Sequence, residues 1–172
     1  MKSVNIGNIK IENPICLSPM AGFSSLPFRI ICNELGAGYC PTELVSARSI
    51  RFSGVEKSLQ YMRISPEEEG ITAIQLFGSE PEDFEAAIET ILSTPVLKEG
   101  SIFDINMGCP VGKVVSNGEG SALMKNPKLA GEILTKLVKA GKKPVTVKTR
   151  LGWDENSKII VPLAERLQDA GI

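Results

Sequence analysis

The chain has 172 residues but no histidine. Without an imidazole as general base, Ser/His/Asp and Cys/His hydrolase mechanisms are excluded. The four cysteines, Cys16, Cys32, Cys40 and Cys109, form no CxxC pair, so a zinc site or a disulfide framework has little support. We therefore predict reduced thiols and no bound metal.

Long hydrophobic runs and an excess of either charge are also missing. No segment approaches the roughly 20 apolar residues of a membrane-spanning helix, and the N-terminus lacks a signal-peptide core, so we predict a cytoplasmic protein without a membrane partner. The net charge of −1 lacks the basic character of a small nucleic-acid-binding domain, so any RNA contact must be local or lie outside this chain. What the chain does have is 42% hydrophobic residues, enough for one core.

A repeating succession of apolar runs and helical patterns follows one hairpin. Residues 4–12 alternate in polarity around Gly7-Asn8, which suits a two-residue turn and predicts a small N-terminal β-hairpin. The later βαβα order is typical of a parallel sheet. Strands are predicted at 15–18, 38–44, 71–77, 102–106 and 145–149, and helices at 27–36, 80–93, 126–141 and 159–167.

Local signals add detail to these elements. Ser79 and Glu82 have the spacing of a capping box at the start of the second helix. Pro162 either kinks the last helix or marks its first turn. The run Glu67-Glu68-Glu69, between a proline and a glycine, is interpreted as a solvated turn.

Five parallel strands with intervening helices fit either an open doubly wound sheet or part of a (β/α)₈ TIM barrel, and periodicity alone does not choose between them. A complete barrel takes about 250 residues. The pattern stops at Gly171-Ile172, where a sixth strand should begin. We therefore expect a fragment of a larger domain, and the choice between the two architectures stays open at this point.

Polar side chains lie where several strands end. Thr146, Lys148 and Arg150 share one face of the fifth strand, because strand side chains alternate. Gln75 lies within the apolar run AIQLF, where an amide needs a partner, and Asn106 lies at the mouth of the fourth strand. In a barrel these ends line the active site, which makes the residues candidate ligands. A solvated strand end for the cations, and a structural network for the amide, are the alternatives.

Cys109 lies in the glycine-rich loop NMGCPVGKVVSNGEGSALM, where backbone can approach a ligand closely. A buried structural role suits Cys16, Cys32 and Cys40 better, since they fall in apolar strands or a helix. A thiol with an unperturbed pKa of about 8.5 stays mostly protonated and can act as a general acid, whereas a nearby lysine would favour a thiolate nucleophile. The loop has neither GxGxxG nor GxxxxGK[ST], so both nucleotide fingerprints are rejected.

Four ordered motifs together resemble the tRNA-dihydrouridine synthase family: LSPMAGFSSLPFR (17–29), QLFGSEPEDF (75–84), DINMGCPVGKVVSNGEGSALMKNP (104–127) and PVTVKTRLGWD (144–154). The resemblance implies an eight-stranded barrel that holds FMN at the carboxyl ends of its strands. NADPH would reduce the flavin, which then reduces the C5=C6 bond of a uridine extruded from tRNA. The family also has a histidine on strand six, phosphate-binding loops after strands seven and eight, and a C-terminal RNA-binding domain, and this sequence contains none of these.

The resemblance also implies a role for each candidate residue. Cys109 would protonate C5 from the face opposite the flavin, and Asn106 and Arg150 would hold the uracil. Gln75 and Lys148 would bond the pyrimidine edge of FMN, where a positive charge stabilises the anionic reduced flavin. Three residues would line the flavin ring: Pro19, Met20 and Ala21.

The resemblance therefore implies a TIM barrel truncated after about five β/α units, with open first and fifth strands that invite self-association. The expected protein is the N-terminal portion, 1–172, of a single catalytic domain of an FMN-dependent oxidoreductase acting on CH–CH groups. Alone it should bind FMN weakly or not at all and be inactive, because the usual barrel phosphate site comes from the last two strands. One alternative is a flavin barrel that reduces free pyrimidines or enones, which activity without tRNA would favour. The other is a non-catalytic truncated assembly unit, which a defined oligomer without flavin absorbance would favour.

Overall fold

The computed structural model describes residues 2–172, which begin with a hairpin. Its strands, β1 (Val4–Ile6) and β2 (Ile9–Ile11), pair antiparallel with Ile6 opposite Ile9. Gly7 in the turn has a φ of +57°, a left-handed conformation that glycine adopts without steric cost. The hairpin predicted around Gly7-Asn8 is confirmed.

A five-stranded parallel sheet forms the rest of the scaffold. Its strands are β3 (Cys40–Pro41), β4 (Val45–Ser46), β5 (Thr72–Phe77), β6 (Ile102–Met107) and β7 (Val145–Thr149). The strand order is β3-β5-β6-β7, and β4 also pairs with β5. With β3 and β4 counted as one interrupted strand, each strand lies beside its predecessor, without the reversal that marks a doubly wound sheet. The predicted α/β fold, half of a TIM barrel preceded by a hairpin, is confirmed.

Helices follow most strands of the sheet. They are α1 (Leu26–Glu34), α2 (Ala47–Ser53), α3 (Leu59–Met62), α4 (Pro81–Ser93), α5 (Gly112–Val115), α6 (Pro127–Gly141), α7 (Ile160–Asp169) and a 3₁₀ helix over Gly120–Lys125. No helix within residues 2–172 combines the length and apolarity needed to cross a bilayer.

The sheet has one apolar face and one polar face. On β6, Phe103, Ile105 and Met107 join the buried hydrophobic cluster, whereas Asp104 and Asn106 alternate with them. Burying each large apolar side chain contributes about 1.5–3 kcal/mol, so this face holds the helices in place. The helices contribute Phe84, Ile88 and Ile91 from α4, Ile133, Leu134 and Leu137 from α6, and Leu163 and Leu167 from α7.

The strand predicted at 15–18 is wrong. The segment makes two backbone hydrogen bonds, from Leu17 N–H to the Tyr39 carbonyl (3.2 Å) and from Gly38 N–H to the Ile15 carbonyl (2.7 Å), but no regular ladder. Residues 15, 16 and 18 are exposed, and Ile15 is 57% exposed. Cys16 is therefore exposed rather than buried, whereas Cys40 is buried as predicted and Cys32 is half-buried.

The strand predicted at 38–44 is divided into β3 and β4. Pro41 pairs with Ala73, but Val45 pairs with Leu76. The segment that joins β3 to β4 therefore has three residues opposite two residues of β5, which is one residue extra. This is a β-bulge. Within it, the Gln75 N–H donates to the Thr42 hydroxyl (3.1 Å).

The helix ends follow most of the sequence signals. Gly36, with a φ of +92°, lies just beyond α1 as a terminator. The Asn126 side chain accepts from Leu129 N–H (3.2 Å) at the start of α6, and Pro162 lies in the first turn of α7. The capping box of Ser79 is wrong: Pro81 opens α4 and Glu80 is its N-cap, so Ser79 lies one residue too early.

The acidic turn is not wholly solvated, because Glu69 is 2% exposed and binds the buried Arg29. The Arg29 Nε donates to Glu69 Oε1 at 2.6 Å and Nη2 donates to Oε2 at 3.3 Å. Arg29 also donates to the carbonyls of Ser24 (2.7 Å) and Arg63 (2.5 Å), and Ser65 N–H donates to Glu69 (2.9 Å). This ion pair joins α1 to the turn before β5.

Candidate active site

A layer of three polar side chains crosses the inner face of the sheet. Gln75, Asp104 and Thr146 are register neighbours on β5, β6 and β7. The Thr146 hydroxyl donates to Asp104 Oδ1 (2.6 Å), and Gln75 Nε2 donates to Asp104 Oδ2 (2.5 Å). The side-chain network considered as an alternative for Gln75 is therefore present. It leaves Gln75 with one N–H free, because a carboxamide nitrogen carries two hydrogens.

Lys148 lies beyond this layer, towards the carboxyl ends of the strands. It is in register with Asn106 on β6. Burial raises the pKa of Asp104, and the bonds from Thr146 and Gln75, with the charge of Lys148, act in the opposite direction. The ammonium of Lys148 is thus close enough to act on the polar layer.

Asn106 connects the layer to the cysteine loop. Its Nδ2 donates to Gln75 Oε1 (3.1 Å), and its Oδ1 accepts from the N–H groups of Gly108 (3.2 Å) and Cys109 (2.9 Å). One Nδ2 hydrogen remains available. The structure therefore brings Gln75, Asn106, Cys109 and Lys148 to the same end of the sheet.

The cysteine loop is held from its far side as well. Ser121 N–H donates to the Cys109 carbonyl (3.0 Å), and the Ser121 hydroxyl is buried without a partner within residues 2–172. Gly120 has a φ of +59°, and a Cβ there would lie 2.8 Å from the Cys109 carbonyl oxygen and 2.9 Å from Val114 Cγ1. The loop conformation around Cys109 thus requires glycine at this position.

Replacing Gly120 by alanine should lower the free energy of unfolding by about 2–6 kcal/mol. A left-handed non-glycine residue costs about 1–3 kcal/mol, and overpacking adds a cost of similar size. Gly118→Ala is the matched control: its φ is +75°, but its nearest neighbour would be Ser79 Cβ at 3.9 Å. Urea unfolding of the purified proteins measures both, and equal losses would contradict the close packing of Gly120 on Cys109.

The segment with Pro19, Met20 and Ala21 forms a turn near the bulge. Met20 N–H donates to the Ser24 hydroxyl (2.7 Å), and Met20 is 43% exposed. The turn is joined to the sheet by Gly22 N–H, which donates to Glu43 Oε2 (2.6 Å).

Glu43 was missed by the sequence reasoning. It is 6% exposed and lies in the bulge between β3 and β4, next to Thr42, which accepts from the Gln75 N–H. The signal was present, since a carboxylate inside the strand-like run CPTELV needs a partner just as the amide of Gln75 does. Glu43 connects the Met20 turn to the strands that carry the site.

Arg150 stands apart from the linked residues. It is exposed and follows the last residue of β7, and its side chain makes no hydrogen bond to the polar layer within residues 2–172. Over the same part of the chain, neither Lys148 nor Arg150 forms an ion pair. Both cations are therefore available to a ligand.

A parallel half-barrel with converging polar side chains at the carboxyl ends of its strands defines a protein of the TIM-barrel class. The family model described as dihydrouridine synthase (Dus) matches residues 16–172. The chain belongs to the dihydrouridine synthase family, as its motifs predicted.

Curated relatives agree with this assignment. The chain is 39% identical over 169 residues to tRNA-dihydrouridine synthase B of Vibrio parahaemolyticus, covering 98% of this chain and 51% of that protein. It is 37% identical over 172 residues to a probable tRNA-dihydrouridine synthase of Rickettsia conorii, covering 98% of this chain and 50% of that protein. The chain thus spans about half the length of the curated relatives it matches.

Proposed function

We propose that this chain is the N-terminal portion of the FMN-binding catalytic domain of a cytoplasmic tRNA-dihydrouridine synthase. The family implies an oxidoreductase, and its enzymes are flavin-dependent. The observation that carries the proposal is the link from Gln75 through Asn106 to Cys109, with Lys148 beside it. The substrate is a uridine in tRNA, and NADPH is the hydride donor.

The residues present fit a flavin. Lys148 has an exposed, unpaired ammonium, which suits the electron-rich pyrimidine edge of an isoalloxazine, and the buried Gln75 keeps one N–H without a hydrogen-bond partner within residues 2–172. Met20 is an exposed apolar side chain that suits the ring, flanked in sequence by Pro19 and Ala21. When bound, FMN supplies the hydride that is transferred to C6 of the uracil.

The protein's residues act on the other side of the reaction. Cys109 donates the thiol proton to C5, so that one hydride and one proton together saturate the C5=C6 bond, and solvent then reprotonates the thiolate. Asn106 offers its free Nδ2 hydrogen to a uracil carbonyl, and Arg150 binds the uracil at the mouth of the site. The positive charge of Lys148 stabilises the anionic reduced cofactor.

Replacing Lys148 by methionine in the full-length enzyme should weaken FMN binding by roughly 10–100-fold, the usual range for a hydrogen bond to a charged group. The side chain keeps its length but loses the ammonium. Flavin fluorescence titration measures the affinity. Lys158→Met, at an exposed lysine paired with Glu155 at 3.1 Å in the following loop, is the control. Equal affinities in the two variants would remove Lys148 from the flavin site.

The prediction of self-association through open strands stays a prediction. Within the described residues β7 pairs with β6 alone, so its other edge carries unpaired backbone groups. A concentration-dependent dimer of the isolated chain in sedimentation experiments, absent in the full-length enzyme, is the expected result. A monomer at all concentrations would refute it.

A further inference from the structure

One hydrogen-bonded series crosses the site and ends at the cysteine loop. It passes from the Thr146 hydroxyl to Asp104, then to the carboxamides of Gln75 and Asn106, and finally to the N–H of Cys109. Gln75 is 0% exposed, Asp104 3% and Asn106 8%. Because these side chains are closed to solvent, water does not readily replace a lost hydrogen-bond partner. Removing one member therefore leaves a buried polar group of its neighbour unsatisfied, at a cost in free energy.

The direction of the series is fixed by the backbone. The N–H groups of Gly108 and Cys109 can only donate, so the Asn106 atom facing them must be the oxygen. Its nitrogen then faces Gln75, which must present its own oxygen. The nitrogen of Gln75 is thereby directed at residue 104, which must accept.

We propose that Asp104 is a positioning residue for the proposed reaction: as the terminal acceptor, it fixes the orientation of the Gln75 and Asn106 carboxamides and thereby the place of Cys109. Asp104 acts through these two side chains and does not itself touch the substrate. The catalytic part of this inference rests on the proposed function. The effect of Asp104 on the position of the Cys109 loop, through hydrogen bonds, does not depend on that function.

Loss of the acceptor has a defined consequence. If the Gln75 carboxamide keeps its orientation, its buried nitrogen has no acceptor at position 104. If the carboxamide rotates, its nitrogen faces the nitrogen of Asn106, and two donors then meet without an acceptor. Either arrangement weakens the tether on the Cys109 loop.

Three substitutions separate positioning from simple stability. Asp104→Val has a similar volume and no acceptor. Asp104→Asn keeps an oxygen for Gln75, and its nitrogen can donate to the Thr146 hydroxyl, which also accepts. Thr146→Val removes one bond to Asp104 but leaves the carboxylate facing Gln75, so it is the matched structural control.

The test is the rate at which iodoacetamide alkylates Cys109 in the folded full-length enzyme, quantified by peptide mass spectrometry with the exposed Cys16 as internal reference. Because the half-buried thiol is released when its tether fails, Asp104→Val should alkylate roughly tenfold faster. Asp104→Asn and Thr146→Val should stay close to the parent rate. An unchanged rate in Asp104→Val, or an equal rise in Thr146→Val, would overturn the proposal.

A double-mutant cycle tests the route through Asn106. Asn106→Ala removes the tether directly, so adding Asp104→Val should raise the alkylation rate no further. Independent, additive effects would show that Asp104 acts by another path and would overturn the proposal.

Turnover gives the functional readout: Asp104→Val should lower kcat about 100-fold, the effect of a small misplacement, with KM for tRNA little changed. An alkylation effect without a change in kcat would overturn the positioning role of Asp104, whereas absence of turnover on tRNA in the parent enzyme would refute the proposed function.

Discussion

Replacing Cys109 by alanine in the full-length enzyme is expected to lower turnover on tRNA by roughly 10²–10⁴-fold, the contribution of a positioned general acid. FMN should stay bound, because Gln75 and Lys148, which we propose as its partners, are unchanged. NADPH should still reduce the flavin at its normal rate, since that half-reaction needs no proton at uracil C5. The loss is therefore expected in the second half-reaction alone.

Stopped-flow absorbance of the flavin measures this directly: the prereduced variant is mixed with tRNA, and reoxidation is followed. Cys16→Ala, at an exposed cysteine outside the linked residues, is the control and should behave as the parent. Cys109→Ser should also be slow, because a hydroxyl is a far weaker acid than a thiol. Parent-like reoxidation in Cys109→Ala would remove Cys109 from its role.

Replacing Glu69 by alanine is expected to lower the free energy of unfolding by about 3–5 kcal/mol, the usual cost of removing one partner of a buried ion pair. Arg29, 1% exposed, would keep its charge but lose its carboxylate. The loss of stability arises because the guanidinium of Arg29 would stay buried without a counter-charge, and not because the attraction within the intact pair is strong.

Chemical unfolding of the full-length enzyme, followed by circular dichroism, measures the loss. Glu68→Ala is the matched control, since Glu68 is exposed and accepts a hydrogen bond from the Ser65 hydroxyl (2.8 Å). It should cost less than about 1 kcal/mol. The pair replacement Arg29→Met with Glu69→Leu should recover much of the stability. Equal costs for Glu68→Ala and Glu69→Ala would contradict a buried ion pair.

The parts of the fold that could be predicted are those set by local patterns. The strands β5 and β6 are predictable because each is a short, mainly apolar run, β7 because its side chains alternate around two valines, and α6 because Asn126-Pro127 and Gly141 mark its ends. Where structure depends on a distant partner, the sequence pattern failed. The bulge between β3 and β4 depends on a Thr42 contact 33 residues away, and the burial of Glu69 on an arginine 40 residues away.

The candidate site shows the same division. Gln75 could be identified because an amide within an apolar strand requires a partner, and Lys148 because alternation places it on the face of Thr146. The close packing of Gly120 on Cys109 could not be predicted, since it depends on how the loop folds back against Cys109 after the short helix α5. Nor could the direction of the Asn106 carboxamide, which two backbone N–H groups determine.

We propose that Gln75, Cys109 and Lys148 surround one flavin at the carboxyl ends of the strands. A crystal structure of the full-length enzyme with bound FMN tests it most directly. We expect Gln75 and Lys148 within about 2.7–3.2 Å of the pyrimidine edge of the isoalloxazine, and the Cys109 thiol facing the ring across a space wide enough for a uracil. An isoalloxazine bound away from these side chains, or a Cys109 thiol directed away from the ring, would contradict the account.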